Sequence, residues 1–183
     1  MKLSTRDLTS IALSTAVICI LAQFTVPLPF TPVPITGQSL GVFLAGALLG
    51  GKKGMIAVIS YLLLGATGLP VFAAGRGGLQ VLLGPTGGYL LGFIPGVYVL
   101  GKLVENRTKK SLIRWASAMM VCLALSYLWG ATQLSLVMNL NLTQTVITGI
   151  LPYLPGDLIK LIVTVPLAQG VRRQLVETKP GFR

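Results

Sequence analysis

The chain has 183 residues, of which 53% are hydrophobic and 10% are charged, and its mean hydropathy is +0.80. A soluble domain carries about 25% charged residues, so an ordinary water-soluble globule is excluded. The net charge of +11 would indicate nucleic-acid binding in a soluble protein, but in a membrane protein cationic loops on the cytoplasmic side explain it more simply.

Hydropathy and the positions of glycine, proline and charge predict an all-α integral membrane protein, one membrane domain with six spanning helices. The predicted helices cover residues 8–26, 37–51, 54–67, 87–104, 112–138 and 156–171. The second and third are short for a bilayer, so we expect them to stand upright or to be completed by neighbouring loops. Pro152 and Pro155 favour a short helix and a turn at the membrane surface in residues 139–155, instead of a seventh span.

Two loops, residues 27–36 and 68–86, are predicted on the outer side of the membrane. Four of the ten residues in the first loop are proline, which predicts a stiff, extended strap. The second loop is glycine-rich and long for a connection between helices, which is typical of a functional loop. Four polar side chains flank these loops where helices begin: Thr36, Gln38, Thr86 and Tyr89. Amide and hydroxyl groups that converge on an apolar cavity are typical of a small-molecule site.

The basic residues are distributed unequally between the two sides of the predicted bundle. Thirteen of the fifteen fall on one side: Lys2, Arg6, Lys52, Lys53, Lys102, Arg107, Lys109, Lys110, Arg114, Arg172, Arg173, Lys179 and Arg183. Cytoplasmic segments carry an excess of Lys and Arg. The distribution therefore predicts that both termini lie in the cytoplasm.

Three charged residues remain on the outer side: Arg76, Asp157 and Lys160. Charges near the hydrocarbon region are costly and tend to mark ligand or ion pathways. Asp157 and Lys160 are three residues apart, so they lie on one face of one helix. Two interpretations stay open. The pair neutralises itself at a helix end, or it forms, together with Arg76, a site of net charge +1 that suits an anionic ligand entering from outside.

Catalytic and nucleotide-binding motifs are not supported. Residues 46–53 match the GxxxxGK skeleton of a phosphate-binding loop, but Lys53 stands where Ser or Thr must bind magnesium, and the match ends a helix instead of following a strand. Histidine is absent, which excludes imidazole metal sites and histidine acid–base catalysis. The sequence therefore indicates no metal site, no ATPase activity and no covalent catalysis.

Small residues recur every four positions on three predicted helices: Ala12 and Ala16, Gly37 with Gly41 and Gly46 with Gly50, and Gly88, Gly92 and Gly96. Such spacing allows helices to approach closely in lipid. For Gly88, Gly92 and Gly96, packing within the bundle is a sufficient explanation. For Ala12 and Ala16, on the first helix, a face toward a partner protein is a comparable alternative.

Two strings stand out, PLPFTPVPITGQSL and GLPVFA followed by GPTGGYLLGF. With the Asp157-Leu-Ile-Lys160 step and the Ala12-x-x-x-Ala16 pair, they make the chain resemble the BioY family, the biotin-specific substrate-binding (S) components of energy-coupling factor (ECF) transporters. The likeness extends over almost the whole chain. The long strings are specific to this family, whereas the alanine pair is shared by many S components.

The resemblance implies a multi-pass protein of the bacterial cell membrane that captures biotin from outside and takes it up. Biotin is then the transported substrate and not a cofactor. The implied partners are a transmembrane coupling (T) protein, contacted through Ala12 and Ala16, and two cytoplasmic ATPases that hydrolyse ATP.

Seven residues, the three outer charges and the four polar groups that flank the outer loops, are expected to bind the ligand: Asp157, Lys160, Arg76, Gln38, Tyr89, Thr36 and Thr86. A carboxylate accepts hydrogen bonds from ureido nitrogens, and a cation pairs with the carboxylate of the biotin tail. Asp157 is therefore expected at the ureido end, and Lys160 or Arg76 at the carboxylate end. A second arrangement stays open, in which Asp157 and Lys160 serve one end and Arg76 closes over the other.

Three other functions agree less well with the sequence. A stand-alone secondary transporter or facilitator for a small carboxylate would need inverted repeats with interrupted helices, and the first half of the chain has no counterpart of the Asp157–Lys160 step. A membrane-embedded enzyme would need an acid, a base or a metal set. A channel would need rings of polar groups, and the outer charges are too few to form them.

Overall fold

The computed structural model describes residues 3–105 and 111–177, and most of this part is helical. Its elements, in chain order, are α1 (Thr5–Gln23), β1 (Thr25–Leu28), β2 (Thr31–Thr36), α2 (Gln38–Ala66), a 3-10 turn (Ala73–Gly75), α3 (Leu79–Leu83), α4 (Gly87–Glu105), α5 (Leu112–Met138), α6 (Leu142–Gly149) and α7 (Leu154–Glu177). Six basic residues predicted on the cytoplasmic side lie outside the described residues: Lys2, Arg107, Lys109, Lys110, Lys179 and Arg183.

Within residues 3–105 and 111–177, five helices are long and apolar enough to cross a membrane: α1, α2, α4, α5 and α7. A mostly helical membrane protein is thus confirmed as the fold class. The sequence predicts six spanning helices, and the difference lies in α2, which covers both the second and the third predicted helix.

The helix α2 contains a sharp reversal at Gly50, whose φ of 79° and ψ of 179° are not helical. Glycine adopts a positive φ without the steric penalty that a Cβ would bring. We name the part before this residue α2a (residues 38–49) and the part after it α2b (residues 51–66). A β-carbon built on Gly54 would lie 3.0 Å from the Cα of Gly46, whereas eight residues of continuous helix span about 12 Å.

The first helix packs against both parts of α2 at the same height. The Thr15 hydroxyl donates to the carbonyl oxygen of Ala57, in α2b, over 3.1 Å. A β-carbon on Gly41, in α2a, would lie 3.0 Å from the Cα of Ile18. Since Thr15 and Ile18 are one turn apart on α1, α2a and α2b lie side by side and run in opposite directions.

The proline-rich segment forms a β-hairpin. Strands β1 and β2 pair antiparallel, with Thr25 opposite Thr36 and Leu28 opposite Thr31. The backbone is extended, as the prolines predict, but it is folded back on itself and not a single strap. Proline is tolerated here because both strands of a two-stranded sheet are edges, where missing N–H groups break no interior ladder.

Close packing between α4 and α5 depends on the glycine repeat of α4. A β-carbon on Gly92 would lie 2.8 Å from the Cα of Ser126, and one on Gly96 would lie 2.9 Å from the carbonyl oxygen of Cys122. In addition, the Ser126 hydroxyl donates to the carbonyl oxygen of Tyr89 over 3.0 Å. The glycines therefore pack within the bundle.

The helix α7 connects the two ends of the bundle. It begins at Leu154, two residues before the predicted start, and extends to Glu177. Near its end, the Arg172 guanidinium donates to the carbonyl oxygens of Val104 (2.7 Å) and Glu105 (2.8 Å). These carbonyls end α4 and lack helical partners, so Arg172 holds the end of α7 against the end of α4.

Residues 139–155 contain the short helix α6 and a turn. A short helix in this segment agrees with the effect expected of Pro152 and Pro155. Its position at a membrane surface stays a prediction.

Candidate functional site

A cavity lies at the end of the bundle where the hairpin, the 68–86 segment and the beginning of α7 meet. The space between its walls, open solvent included, is about 700 Å³. The residues predicted as ligand-binding all line it: Thr36, Gln38, Arg76, Thr86, Tyr89, Asp157 and Lys160. The other lining residues are Val33, Pro34, Ile35, Ser39, Phe72, Ala73, Val81, Leu90, Phe93, Leu123, Ser126, Tyr127 and Tyr153.

Asp157 is the centre of a hydrogen-bond network that joins three helices. Its Oδ1 accepts from the Ser39 hydroxyl of α2a over 3.0 Å and from the Lys160 ammonium, one turn along α7, over 2.7 Å. Its Oδ2 accepts from the Tyr127 hydroxyl of α5. The residue is 6% exposed. A carboxylate this deeply buried is stable only because donors and a cation compensate the loss of water.

Lys160 belongs to the same network. Besides the contact with Asp157, its ammonium donates to the Ser39 hydroxyl over 3.1 Å. Its side chain is 17% exposed. An ammonium carries three donors, and two of them are used by these partners, so one is left to face the cavity.

Gln38 contributes an unsatisfied polar group. The residue is 4% exposed, and its Nε2 has no hydrogen-bond partner among the described residues. Leaving a buried donor unpaired costs about 1–3 kcal/mol. Since Gln38 lines the cavity, an acceptor on a bound ligand would satisfy it.

The two threonines border the cavity beside this group. The Thr36 hydroxyl accepts from the backbone N–H of Gln38 over 3.3 Å, which holds the junction between β2 and α2a. Thr86 precedes α4 and is half-buried. Both residues therefore occupy the places where the loops meet the helices, as predicted.

Arg76 lies in the 68–86 segment, directly after the 3-10 turn, and is exposed. Its Nε donates to the carbonyl oxygen of Ala73 over 3.2 Å. It forms no ion pair within the part of the chain that the structure describes. The guanidinium is thus a cation at the cavity wall whose charge is not compensated by those residues.

Aromatic rings form much of the cavity wall. The rings of Tyr89 and Tyr127 meet edge to face, with centroids 6.4 Å apart, and Tyr153 lies 6.5 Å from Tyr89. The Tyr89 hydroxyl donates to the carbonyl oxygen of Gly149 (2.7 Å), so this residue offers the cavity its ring and not the hydroxyl that the sequence suggested. Burial raises the pKa of Tyr153, so its hydroxyl keeps the proton.

The sequence interpretation missed four polar residues of the cavity: Ser39, Ser126, Tyr127 and Tyr153. Ser39 and Tyr127 occur inside apolar helical segments. The signal for Ser39 is its place next to a predicted site residue, and the signal for Tyr127 is a single polar group within a predicted span. Ser39 directly follows Gln38, and this adjacency could have identified it. Nothing in the sequence near Tyr127 indicates that it faces Asp157, thirty residues away.

Ala12 and Ala16 are far from the cavity along α1, and both are exposed. The opposite face of α1, with Ile11, Thr15 and Ile18, is buried against the bundle. The alanines are therefore not core residues of this chain.

This chain is similar to known proteins over most of its length. Residues 1–177 match the model of the BioY family. A biotin transporter BioY of Rhizobium etli is 42% identical over 177 residues, which cover 92% of this chain and 94% of the relative. One from Thermotoga maritima is 42% identical over 173 residues, 94% of this chain and 99% of the relative.

A solved structure has the same fold. It is a crystal structure at 2.1 Å of the S-component for biotin from an ECF-type ABC transporter. The two structures align with a TM-score of 0.86 and 32% sequence identity, over 94% of this chain and 95% of the other. Both relatives are named biotin transporters, and the solved structure is named as a transporter component.

Proposed function

The chain belongs to the BioY family, and on this premise we propose that it captures biotin from outside the cell and takes it up as the S component of an ECF-type ABC transporter. The observation that carries the proposal is the cavity. It combines an aromatic wall, a buried carboxylate, an unpaired amide and an uncompensated guanidinium. These groups match the apolar rings, the ureido group and the tail carboxylate of biotin.

The contacts favour one arrangement of the ligand. Asp157 and Lys160 bind each other, so both serve the same end, and a ureido group needs an acceptor for its N–H groups and donors for its carbonyl. Asp157 supplies the acceptor, and Lys160 with Gln38 supplies the donors. Arg76 then binds the tail carboxylate, because a guanidinium pairs well with a carboxylate.

We propose six spans, with α2a and α2b as the second and third, and both termini in the cytoplasm. The cavity lies at one end of the bundle, while Lys53, Lys102 and Arg172 lie at the other end, near the Gly50 reversal and the end of α4. An excess of basic residues marks the cytoplasmic side. This orientation gives the cavity access to biotin from outside.

The proposed partners are a T protein, with Ala12 and Ala16 on the contact face, and two cytoplasmic ATPases. The exposure of both alanines supports this face, because a small-residue surface permits close helix contact. The chain itself offers no nucleotide-binding motif, so ATP hydrolysis belongs to the partners. Biotin is the transported substrate and not a resident cofactor.

The proposal is tested by equilibrium dialysis of the purified chain with labelled biotin, without ATP or partners. We expect saturable binding, and binding of biotin methyl ester weaker by about tenfold or more, since a hydrogen bond to a charged group contributes about 1.5–3 kcal/mol. In Arg76→Ala the preference for the free acid should disappear. The absence of saturable biotin binding by the folded chain would contradict the proposal.

Uptake by the chain alone is measured separately, in liposomes supplied with external biotin. Capture without accumulation supports an S component that depends on partners. Accumulation by the single chain would favour a stand-alone transporter or facilitator.

A further inference from the structure

We infer that Tyr127 is a positioning residue of this ligand site. Its hydroxyl holds Oδ2 of the Asp157 carboxylate, so that the group is restrained through both oxygens and one acceptor position on Oδ2 is left for a ureido N–H. The inference rests on the proposed function. It adds a residue that acts on the ligand through Asp157 and needs no hydrogen bond of its own to the ligand.

The argument begins with the acceptor positions of the carboxylate. An ionised carboxylate has about four lone-pair positions, two on each oxygen. Among the described residues, Oδ1 accepts from Ser39 and Lys160, and Oδ2 accepts from Tyr127 alone. Oδ1 is therefore fully used, and one position is left on Oδ2.

The second step concerns rotation of the carboxylate. Ser39 and Lys160 both bind Oδ1, and because the carboxylate is rigid they restrain Oδ2 only through that oxygen. Tyr127 binds Oδ2 from a different helix, α5. The carboxylate is thus held through both oxygens, from three helices. Without the Tyr127 hydroxyl, Oδ2 has no direct partner among the described residues, and the whole carboxylate is held less firmly against changes in its side-chain torsions.

The third step distinguishes Tyr127 from the other two cavity tyrosines. The Tyr89 hydroxyl lies 2.7 Å from the carbonyl oxygen of Gly149, and the Tyr153 hydroxyl lies 2.7 Å from that of Val33. Both hydroxyls donate to backbone carbonyl oxygens, whereas the Tyr127 hydroxyl contacts a charged side chain of the site. Tyr89→Phe is therefore a matched control, in which the same atom is removed from the same cavity wall.

The test is a double-mutant cycle on biotin affinity, measured by calorimetry with the full chain. Tyr127→Phe should weaken binding about tenfold in the parent background, roughly the effect of one hydrogen bond to a charged group. In the Asp157→Asn background the same change should weaken binding less than about twofold, since residues that share a partner are not additive. Tyr89→Phe should change affinity by the same factor in both backgrounds.

A second measurement locates the effect along the ligand. Tyr127→Phe should weaken biotin and biotin methyl ester by the same factor, because both ligands retain the ureido group. Arg76→Ala should affect only the free acid. If the Tyr127→Phe effect is absent with the methyl ester, the residue acts at the tail end and the inference is overturned.

Rescue by a conservative variant provides the last check. Tyr127→4-aminophenylalanine keeps a hydrogen-bond donor at the same place. Because its amino group can still donate to Oδ2 of Asp157, its biotin affinity should be within about threefold of that of the parent. This variant also decides the question if Tyr127→Phe does not fold. If the 4-aminophenylalanine variant loses as much affinity as Asp157→Asn, or if the effects in the double-mutant cycle are additive, the inference is overturned. Biotin binding by the parent chain would still support the proposed function in that case. Absence of biotin binding by the parent overturns both.

Discussion

A carboxylate and an ammonium placed among apolar helices cost free energy unless each compensates the other. Asp157 and Lys160 meet this condition through a contact of 2.7 Å and a shared partner, Ser39. The contact alone is equally compatible with a self-neutralising pair. What favours a binding role is the position of the pair in the wall of a cavity that also contains the Gln38 amide nitrogen, which has no hydrogen-bond partner among the described residues, and the Arg76 guanidinium, which forms no ion pair with them.

We expect Asp157→Asn and Lys160→Ala each to weaken biotin binding about 30-fold or more. Each change leaves one charged or polar partner unpaired at a poorly hydrated site, a loss of roughly 2–5 kcal/mol. Calorimetric titration measures the affinity, and thermal unfolding in the same detergent shows whether the fold is intact. Parent-like binding by both folded variants would mean that the pair is structural.

The charged residues of the site can be identified from the sequence, whereas some of its hydroxyl residues cannot. Asp157, Lys160 and Arg76 are predictable because a charge outside the cytoplasmic side is rare in a membrane protein. Ser39, Tyr127 and Tyr153 are not, because a single hydroxyl in an apolar segment is common, and its partner depends on how helices far apart in the chain are placed. Hydropathy determines which residues are in the membrane, but not which faces meet.

At the scale of elements, the glycines of α4 determine how closely α5 approaches. The positions of their absent β-carbons fall 2.8–2.9 Å from the backbone of α5 at Gly92 and Gly96. Backbone atoms cannot rotate away as side chains do, so an added methyl group must separate the helices. The two helices carry Tyr89 and Tyr127, so their separation would also change the cavity wall.

We expect Gly92→Ala to lower the melting temperature and to weaken biotin binding. The matched control is Gly170→Ala, because a β-carbon on Gly170 meets nothing within 4 Å. At that open helical position, alanine should be neutral or should stabilise the protein by about 0.5–1 kcal/mol. Thermal unfolding of both variants in one detergent is the measurement. Equal melting temperatures would show that the α4–α5 contact can adjust without cost.

Elements differ in how well the sequence predicts them. The long helices follow from apolar length, and α1 begins and ends three residues before its predicted bounds. The hairpin was not predicted as a pair of strands, because proline predicts an extended backbone without indicating which strand lies beside it. The reversal at Gly50 was predicted as a gap between two helices, since lysines follow the glycines there, although the two helices join without an intervening loop.

At the scale of the whole molecule, the proposed function places biotin capture at one end of the bundle and contact with the T protein nearer the other. The cavity lies where α2a, α4 and α7 begin. Ala12 and Ala16 lie further from it along α1, toward the end of the bundle where Asp7 and Lys53 form an ion pair of 2.5 Å. A change at the alanines should therefore leave the cavity intact.

We expect Ala12→Trp or Ala16→Trp to abolish co-purification with the T protein and biotin uptake, because a bulky side chain prevents close helix contact. Biotin binding by the isolated chain should stay within about threefold, less than the effect of one charged hydrogen bond. Leu63→Trp, at an exposed position of α2b, controls for a new surface tryptophan. Binding and pull-down are measured on the same preparation. Loss of binding together with assembly would refute the separation of the two roles.

The reversal at Gly50 also has a consequence for the surrounding lipid. The twelve residues of α2a extend about 18 Å and the sixteen of α2b about 24 Å at 1.5 Å per residue, whereas the hydrocarbon core of a bilayer is about 30 Å thick. The twenty-seven residues of α5 extend about 40 Å. In the proposed six-span arrangement, the lipids that border α2b therefore have to be thinner than those that border α5. Such asymmetric hydrophobic mismatch favours a tilted protein over an upright one.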